Sequence, residues 1–155
     1  MVVVLLVSGC CGGSSRSTAP VTQRFETLGI SIETRGHTGG PVQNGYMFTS
    51  GDSSSITFVH AAAPGLPASQ RSPGELLPGA TIEVQWQRPV MIGGMPGFES
   101  RVIERAPMQQ VHWIGALDGP RGPVWIHLVT DQRWITGPTV GDLGWQTLRD
   151  SVRRL

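Results

Sequence analysis

The alternation of apolar and polar residues predicts β-strands along much of the chain. Thr81–Gln87 alternates at every second position, as a strand with one buried face does. Two runs rich in β-branched and aromatic residues, Gln110–Leu117 and Val124–Val129, flank a turn-forming segment, Asp118–Pro123. We expect these two runs to pair as a β-hairpin, with Phe98–Arg105 as a third strand.

The first half of the chain predicts further strands and little helix. Arg24–Glu33 predicts one strand, and the glycine-rich Gly36–Gly45 predicts a loop. Gly45–Thr49 and Ser55–His60 predict a second hairpin. Ser72–Glu75 has the residue order of a capping box with proline at the first helical position, which predicts a helix of about one turn.

A change of period near the C-terminus predicts an α-helix. Trp145, Leu148, Val152 and Leu155 recur at steps of three and four, which places them on one helical face, and Asp142 is the predicted N-cap. Because so short a helix is marginal alone in water, we expect its apolar face to pack on the sheet. The chain is therefore predicted to form an α+β fold, with an antiparallel β-sheet, this C-terminal helix packed on it and at most short additional helices.

The N-terminal segment has the character of a bacterial lipoprotein leader. Val2–Val7 is too short for a bilayer span of about 20 residues but fits the apolar part of a signal peptide. Val7-Ser8-Gly9-Cys10 resembles the lipobox, in which the thiol of the cysteine, here Cys10, receives the lipid. A buried N-terminal strand over Val2–Val7 is the alternative.

The residues after the lipobox are small and polar and predict a flexible tether, Cys11–Pro20. Phe25 is the first large apolar residue beyond this tether. We therefore predict a lipoprotein signal peptide and tether over residues 1–24 and one folded domain over residues 25–155.

Composition excludes several classes of function. The net charge of +1 argues against nucleic acid as a partner. Both cysteines, Cys10 and Cys11, precede the predicted domain, which therefore has no disulfide and no thiolate metal site. Four side chains titrate near neutral pH: His37, His60, His112 and His127. Their spacing matches no metal motif, and the chain has no nucleotide-binding glycine motif, so we expect no metal and no cofactor.

Three residues are candidates for ligand binding. His112 and His127 lie on the two strands of the predicted C-terminal hairpin and face each other only if the strand register suits. Trp134 follows polar residues at a strand end and is the tryptophan most expected to be exposed. The simpler interpretation is that the two histidines are half-exposed strand residues and the tryptophans belong to the core. The chain has no G-x-S-x-G motif, so no catalytic residue is assigned.

Three stretches resemble the PsbP-like superfamily: the opening strand Phe25–Glu33, the turn Ile92–Gly97 and the terminal helix Trp145–Arg153. That group includes a photosystem oxygen-evolving subunit, DcrB-like bacterial proteins, actinobacterial lipoproteins and a relative that binds a nuclear-transport GTPase. The resemblance implies an antiparallel sheet flanked by helices, with binding or assembly roles. The middle helix of that group is interrupted here by prolines that include Pro73 and Pro78.

These observations favour a non-enzymatic protein of the bacterial cell envelope. We expect its partners to be the membrane, through a lipid anchor on the extracytoplasmic surface, and an unidentified protein or small molecule. One alternative is an envelope hydrolase that uses the histidines of the hairpins, and another is an assembly factor without a ligand. A hydrolase would have a pocket in which a histidine and a carboxylate converge, whereas a binding module would have an apolar groove or exposed tryptophans.

Overall fold

A computed structural model describes residues 19–50, 54–131 and 140–155. Within these ranges the chain forms ten strands and one α-helix, α1 (Val140–Ser151). The strands are β1 (Pro20–Phe25), β2 (Ile30–Arg35), β3 (Thr38–Val42), β4 (Gly45–Thr49), β5 (Ser55–Ala61), β6 (Thr81–Ile92), β7 (Met95–Ala106), β8 (Gln110–Gly119), β9 (Gly122–Asp131) and β10 (Arg153–Arg154).

The strands form two antiparallel sheets. Seven of them make the larger sheet in the order β3-β4-β5-β9-β8-β7-β6, and three make a smaller sheet in the order β1-β2-β10. The predicted fold class is confirmed, because antiparallel strands are combined with a helix near the C-terminus that packs on them. None of the described helices has the length and apolar character needed to cross a membrane.

The predicted hairpins are confirmed, with strands longer than the patterns indicated. β4 pairs with β5, and β8 pairs with β9, antiparallel in both cases. The turn between β8 and β9 is shorter than the predicted Asp118–Pro123, because Gly119 already pairs with Gly122. β6 continues from the predicted strand to Ile92 and forms an edge of the large sheet, where most of its residues are exposed or partly exposed.

Two predictions for the N-terminal part are wrong. Arg24–Glu33 is not one strand, because the chain reverses between Phe25 and Ile30 and these two residues pair with each other. Gly29 has a φ of +71° in this turn, a backbone conformation that glycine adopts without steric cost. The predicted loop Gly36–Gly45 contains β3, which pairs with β4 although its sequence has no apolar alternation.

The predicted one-turn helix forms as a 3-10 helix, Pro73–Leu76. The Ser72 hydroxyl accepts a hydrogen bond from the backbone N–H of Gly74, and the Glu75 carboxylate accepts one from the backbone N–H of Ser72. The expected capping box is therefore present. A second short 3-10 helix, Ala68–Gln70, precedes it.

The apolar face of α1 is confirmed in part. Trp145 and Leu148 are buried against the sheets, as is Val152 directly after the helix, but Leu155 is exposed. Leu155 does not lie on this face because the helix ends before it. The chain then forms β10, which pairs with β2 and turns the last residue away from the helix face. Asp142 lies in the first turn of α1 and not at its N-cap.

The large sheet buries a different cluster on each face. One face packs against α1 and the small sheet, around Ile30, Trp113, Ile126 and Trp145. The other face is covered by the segment that carries the two 3-10 helices. Because successive residues of a strand point to opposite faces, each strand between these layers contributes to both clusters.

Two tryptophans pack across the interface between α1 and the large sheet, one from the helix and one from the sheet. Trp145 of α1 packs against Gly115 of β8, and Trp113 of β8 packs against Gly141 of α1. A methyl group added at either glycine would lie within 3.0 Å of the tryptophan ring. The helix and the sheet therefore approach each other this closely because both glycines lack a side chain.

Candidate functional site

The structure places two of the four predicted site residues. Cys10, the predicted lipidation site, and Trp134, a predicted ligand-binding residue, lie outside the described residues. His112 is on β8 and His127 is on β9. Both imidazoles are buried, with 2% and 8% of each residue exposed, so the half-exposed interpretation of these histidines is wrong.

The strand register brings the two histidines together. His112 pairs with Val129, and His127 pairs with Ile114, so the histidines are diagonal neighbours on one face of the sheet. Nδ1 of His112 lies 2.8 Å from Nε2 of His127. The two rings are stacked, with their centroids 5.0 Å apart.

A carboxylate extends this pair into a row, Glu104–His112–His127. Oε2 of Glu104, on β7, lies 3.0 Å from Nε2 of His112. The second carboxylate oxygen of Glu104 accepts a hydrogen bond from the backbone N–H of Met108 at 3.2 Å. Since an ionised carboxylate only accepts, Nε2 of His112 carries the proton, and the neutral Nδ1 accepts from Nε2–H of His127. The bonding order thus assigns one tautomer to each ring.

Burial keeps both imidazoles of the row uncharged at neutral pH. Burial, with lesser contributions from the positive charges of His112 and His60, lowers the pKa of His127 to about 3. Burial also lowers the pKa of His112, although the hydrogen bond and the negative charge of Glu104 oppose that change. A second proton on the row is disfavoured because two cationic rings would then be stacked together.

The row contains the carboxylate–imidazole pair of a general base. Within the described residues it lacks the neighbouring nucleophile that a hydrolytic site needs. No hydroxyl or thiol of the described residues is hydrogen-bonded to His112 or His127. The row lies on the face of the large sheet opposite α1. Sequence reasoning missed Glu104, because only the register between β7 and β8 places it beside His112.

A cleft of about 590 Å³ lies on the other face of the sheet, beside α1. We call it the α1 cleft. It is lined by residues from the end of β2, from β5 and β9, and from α1, among them Arg35, Thr57, Leu128, Thr130, Gly144 and Leu148. Its floor is apolar at Leu128 and Leu148, both of which belong to the core beneath the helix.

Two buried hydroxyl groups in the wall of the α1 cleft have no hydrogen-bond partner. Thr57 and Thr130 are 3% and 5% exposed, and neither Oγ1 atom is bonded. Thr57 pairs with Leu128, and Thr130 pairs with Ser55, which makes the two threonines diagonal neighbours on β5 and β9. A buried polar group without a partner costs about 1–3 kcal/mol. Both Oγ1 atoms are buried, so the two hydroxyls lie within the wall and are not open to the cleft.

The two arginines that line the α1 cleft differ in their partners. Arg35 forms a 3.1 Å ion pair with Glu33 at the rim. The guanidinium of Arg153 donates hydrogen bonds to the backbone carbonyls of Asp150 and Val152, at 2.6 and 2.7 Å. The charge of Arg35 is thus balanced by a carboxylate, whereas Arg153 bonds backbone carbonyls and keeps its positive charge among the lining residues.

The start of the domain adjoins the same rim. Pro20, the first residue of β1, pairs with Arg35, the last residue of β2. The hydroxyl of Thr34, which lines the cleft, donates a 3.3 Å hydrogen bond to the carbonyl of Val21. The first residue of β1 therefore lies beside the rim of the cleft.

The other two histidines, His37 and His60, contact backbone carbonyls and are not part of the row. Nδ1 of His37 lies 2.7 Å from the carbonyl oxygen of Arg35 at the rim of the cleft, and Nδ1 of His60 lies 3.2 Å from that of Ala61. Within the described ranges, no three histidine, cysteine or acidic side chains converge in an arrangement that could hold a metal ion. Three tryptophans are core residues, as the simpler interpretation predicted: Trp113, Trp125 and Trp145.

No family model matches the chain, and no curated protein matches it either. Solved structures do. The solution structure of the cyanobacterial PsbP (CyanoP) from Synechocystis sp. PCC 6803 superposes with a TM-score of 0.64 at 14% identity, covering 95% of this chain and 98% of that one. The crystal structure of the Ran-binding protein Mog1p from Saccharomyces cerevisiae gives a TM-score of 0.64 at 10% identity, covering 89% of this chain and 96% of that one.

These two similarities extend over most of the chain and define the fold as PsbP-like. The resemblance predicted from the sequence is thereby confirmed at the level of the fold. At identities this low, function does not follow from the fold, because unrelated functions occur on one scaffold.

Proposed function

We propose that this protein is a non-enzymatic binding domain that a lipid on Cys10 holds at the periplasmic or extracytoplasmic face of a bacterial membrane. The observation that carries the binding role is the α1 cleft, a cavity of about 590 Å³ with an apolar floor at Leu128 and Leu148. The PsbP-like fold agrees with this role, since Mog1p, which shares it, is a Ran-binding protein.

The separation of cavity and titratable groups favours binding over catalysis. A hydrolytic site needs its base, its nucleophile and the substrate in one place. Here the Glu104–His112–His127 row is buried on one face of the sheet, and the α1 cleft opens on the other. Among the described residues that line the cleft, His37 carries an imidazole. It lies at the rim, where its Nδ1 contacts a backbone carbonyl.

The anchor is supported by the sequence of the leader. The lipobox-like Val7-Ser8-Gly9-Cys10 is followed by small and polar residues. A lipid on Cys10 would hold the domain, which begins with β1 at Pro20, at the membrane surface.

Detergent partitioning in a bacterial host tests the anchor. Wild type is expected in the detergent phase and Cys10→Ala in the aqueous phase. Cys11→Ala is the matched control and should partition like wild type, because the adjacent thiol is not the lipidated one. If Cys10→Ala and wild type partition equally, the anchor is excluded.

The envelope hydrolase is the second candidate, and the Glu104–His112 contact of 3.0 Å is the observation that favours it. Hydrolysis of a simple chromogenic ester tests this alternative. The binding role predicts the same background rate for wild type and for His112→Gln. A rate that is well above background in wild type and lost in His112→Gln would replace the binding role by the hydrolase.

A further inference from the structure

We propose that the α1 cleft takes a carboxylic acid with a hydrocarbon chain, bound as its carboxylate, and that Arg153 is the counter-charge. This inference rests on the proposed binding role and names its ligand class. It follows from the apolar floor of the cleft, from the pairing of the charges in its lining and from the unused donors of one guanidinium.

The floor of the cleft suits a hydrocarbon chain. Leu128 and Leu148 are buried apolar residues of the core beneath the helix. Gly144 of α1 leaves space above Leu128, because a Cβ at that position would lie 4.0 Å from the nearest atom, a methyl carbon of Leu128. Apolar surface that moves from water onto such a floor stabilises a complex. The volume of about 590 Å³ is in the range of pockets that enclose small molecules.

Charge pairing in the lining leaves one cation without a carboxylate partner. Among the described residues, those that line the cleft with a fixed charge are Glu33, Arg35, Asp150 and Arg153. Glu33 pairs with Arg35 at 3.1 Å, and Asp150 pairs with Arg149 at 2.8 Å. Arg153 instead donates to backbone carbonyls. An anionic ligand would therefore supply the missing counter-charge, whereas a cationic ligand would be repelled by this arginine.

The free edge of the Arg153 guanidinium has the geometry that a carboxylate matches. Nη1 donates to the carbonyls of Asp150 and Val152 at 2.6 and 2.7 Å, and no hydrogen bond joins Nε or Nη2 to a described residue. The N–H groups of Nε and Nη2 point in the same direction, and two parallel donors of this kind bind both oxygens of a carboxylate. The bonds of Nη1 meanwhile hold the guanidinium against the end of α1.

The exposure of Arg153 determines how the ligand is oriented. Arg153 and Arg154 form β10 and are both exposed, but Arg153 is the one that lines the cleft. A carboxylate paired with an exposed arginine keeps part of its hydration, which avoids most of the cost of burying a charge. The hydrocarbon chain then runs from the rim toward Leu128 and Leu148. The ligand is thus an amphipathic monocarboxylate with its headgroup at the surface.

Titration calorimetry with the full chain carrying Cys10→Ala tests the ligand class. Octanoate, octan-1-ol and octylamine share one hydrocarbon chain and differ in the charge of the headgroup, and acetate has the carboxylate without the chain. We expect octanoate to bind about fivefold more tightly than octanol, the upper end of what an exposed ion pair contributes. Acetate and octylamine should bind more weakly than either, and the preference for octanoate should shrink as ionic strength rises.

Two results of this titration would overturn the proposal. Equal affinities for octanoate and octanol would mean that the cleft does not discriminate charge. Acetate that binds as tightly as octanoate would mean that the floor takes no part and that the arginine binds only an adventitious anion.

Variants of Arg153 in the same background test the counter-charge. Arg153→Gln should lower the affinity for octanoate to that for octanol, and its unchanged binding of octanol shows that the cleft is still folded. Arg153→Lys keeps the charge and should bind octanoate more tightly than Arg153→Gln. Arg154→Gln removes the adjacent exposed arginine and is the matched control, which should bind octanoate like wild type. Equal octanoate affinities for Arg153→Gln and Arg154→Gln would exclude Arg153 as the counter-charge.

A final comparison separates the failure of the ligand class from the failure of the binding role. Gly144→Leu fills the space above the floor and should abolish the binding of octanoate and octanol. Gln146→Leu adds the same leucine at an exposed position of α1 outside the cleft and should bind normally. If both compounds bind equally and Gly144→Leu abolishes both, the carboxylate is excluded and the cleft remains a site. If neither binds, and neutral fragments also fail to bind in ligand-observed NMR, the binding role falls as well.

Discussion

The indole of Trp145, on α1, donates a 2.8 Å hydrogen bond to the buried carboxylate of Glu99, on β7. Arg88 and Arg149 also donate to this carboxylate, at distances between 2.8 and 3.1 Å. Burial acts to raise the pKa of Glu99, but the three donors outweigh it and hold that pKa below its ordinary value. Glu99 is thus an ionised group that ties the helix to the sheet.

Replacing Glu99 should weaken the whole domain. In Glu99→Ala, the indole N–H of Trp145 loses its acceptor and Arg149 loses a buried counter-charge, for which we expect a loss of about 3–5 kcal/mol in the free energy of unfolding. Urea denaturation measures it. The control is Glu83→Ala, whose partner Arg105 is exposed, and its expected loss is within about 1 kcal/mol. Similar losses for the two variants would contradict the role of Glu99.

The contact between Trp145 and Gly115 predicts a steric effect of a single methyl group. In Gly115→Ala, the new Cβ would lie 2.9 Å from the Trp145 ring, so the helix has to shift. We expect a destabilisation of about 1–3 kcal/mol, typical of overpacked cores. Gly40→Ala is the matched control in a strand, since a Cβ at that position would meet no neighbouring atom within 4 Å. Equal melting temperatures for wild type and Gly115→Ala would show that the interface has spare room.

The Glu104–His112–His127 row predicts a loss of stability in acid. The pKa of His127 is about 3 in the folded protein and near 6.5 in the unfolded chain. The unfolded chain therefore binds the proton first. The stabilising effect of the neutral ring is complete above pH 6.5 and is lost progressively as the pH falls toward 3. The slope approaches about 1.4 kcal/mol per pH unit for one proton.

Denaturation curves between pH 4 and pH 8 measure this slope for wild type and for His127→Gln, in which the titrating ring is absent. The variant should show a shallower dependence between pH 4 and about pH 6.5, where the unfolded chain binds the proton and the folded protein does not. His37→Gln lies outside the row and controls for the loss of one histidine. A slope in His127→Gln equal to that of wild type would mean that other groups govern the acid transition.

The boundary between tether and domain remains a prediction that truncation can test. β1 begins at Pro20 and pairs along its full length with β2. A chain that starts at Ala19 should melt within a few degrees of the full chain. One that starts at Glu26 lacks β1 and the buried ring of Phe25, and it should melt far lower. If removing residues 1–18 alone unfolds the protein, the tether interpretation is wrong.

Local patterns were enough to predict the fold class, the two hairpins and the buried part of the helix. The runs of β-branched and aromatic residues in β8 and β9 reflect strands that are buried on both faces, and a one-turn capping box is a local event. The pattern failed at the turn between β1 and β2, because Leu28 within the turn is itself buried and prolongs the apolar series. It failed for β3 because that strand is held by its pairing with β4, and none of its residues is buried.

The candidate sites depend on information that no local pattern contains. His112 and His127 were candidates by residue type, but their contact and the place of Glu104 follow from the register of three strands, and a shift of one residue would turn each side chain to the other face. The α1 cleft draws its lining from separate parts of the chain. Thr57 and Thr130 gave no signal, because a threonine in a strand is ordinary.

The pairing of β10 with β2 affects how the domain is completed during synthesis. Ser151, which bonds Glu33 from the end of α1, lies 118 residues after it in the chain. Until that late segment is made, β2 offers a free edge to any extended chain nearby. A polypeptide that stops before Arg153 would keep this edge open. We expect such shortened products to be prone to self-association even though the large sheet has all its strands.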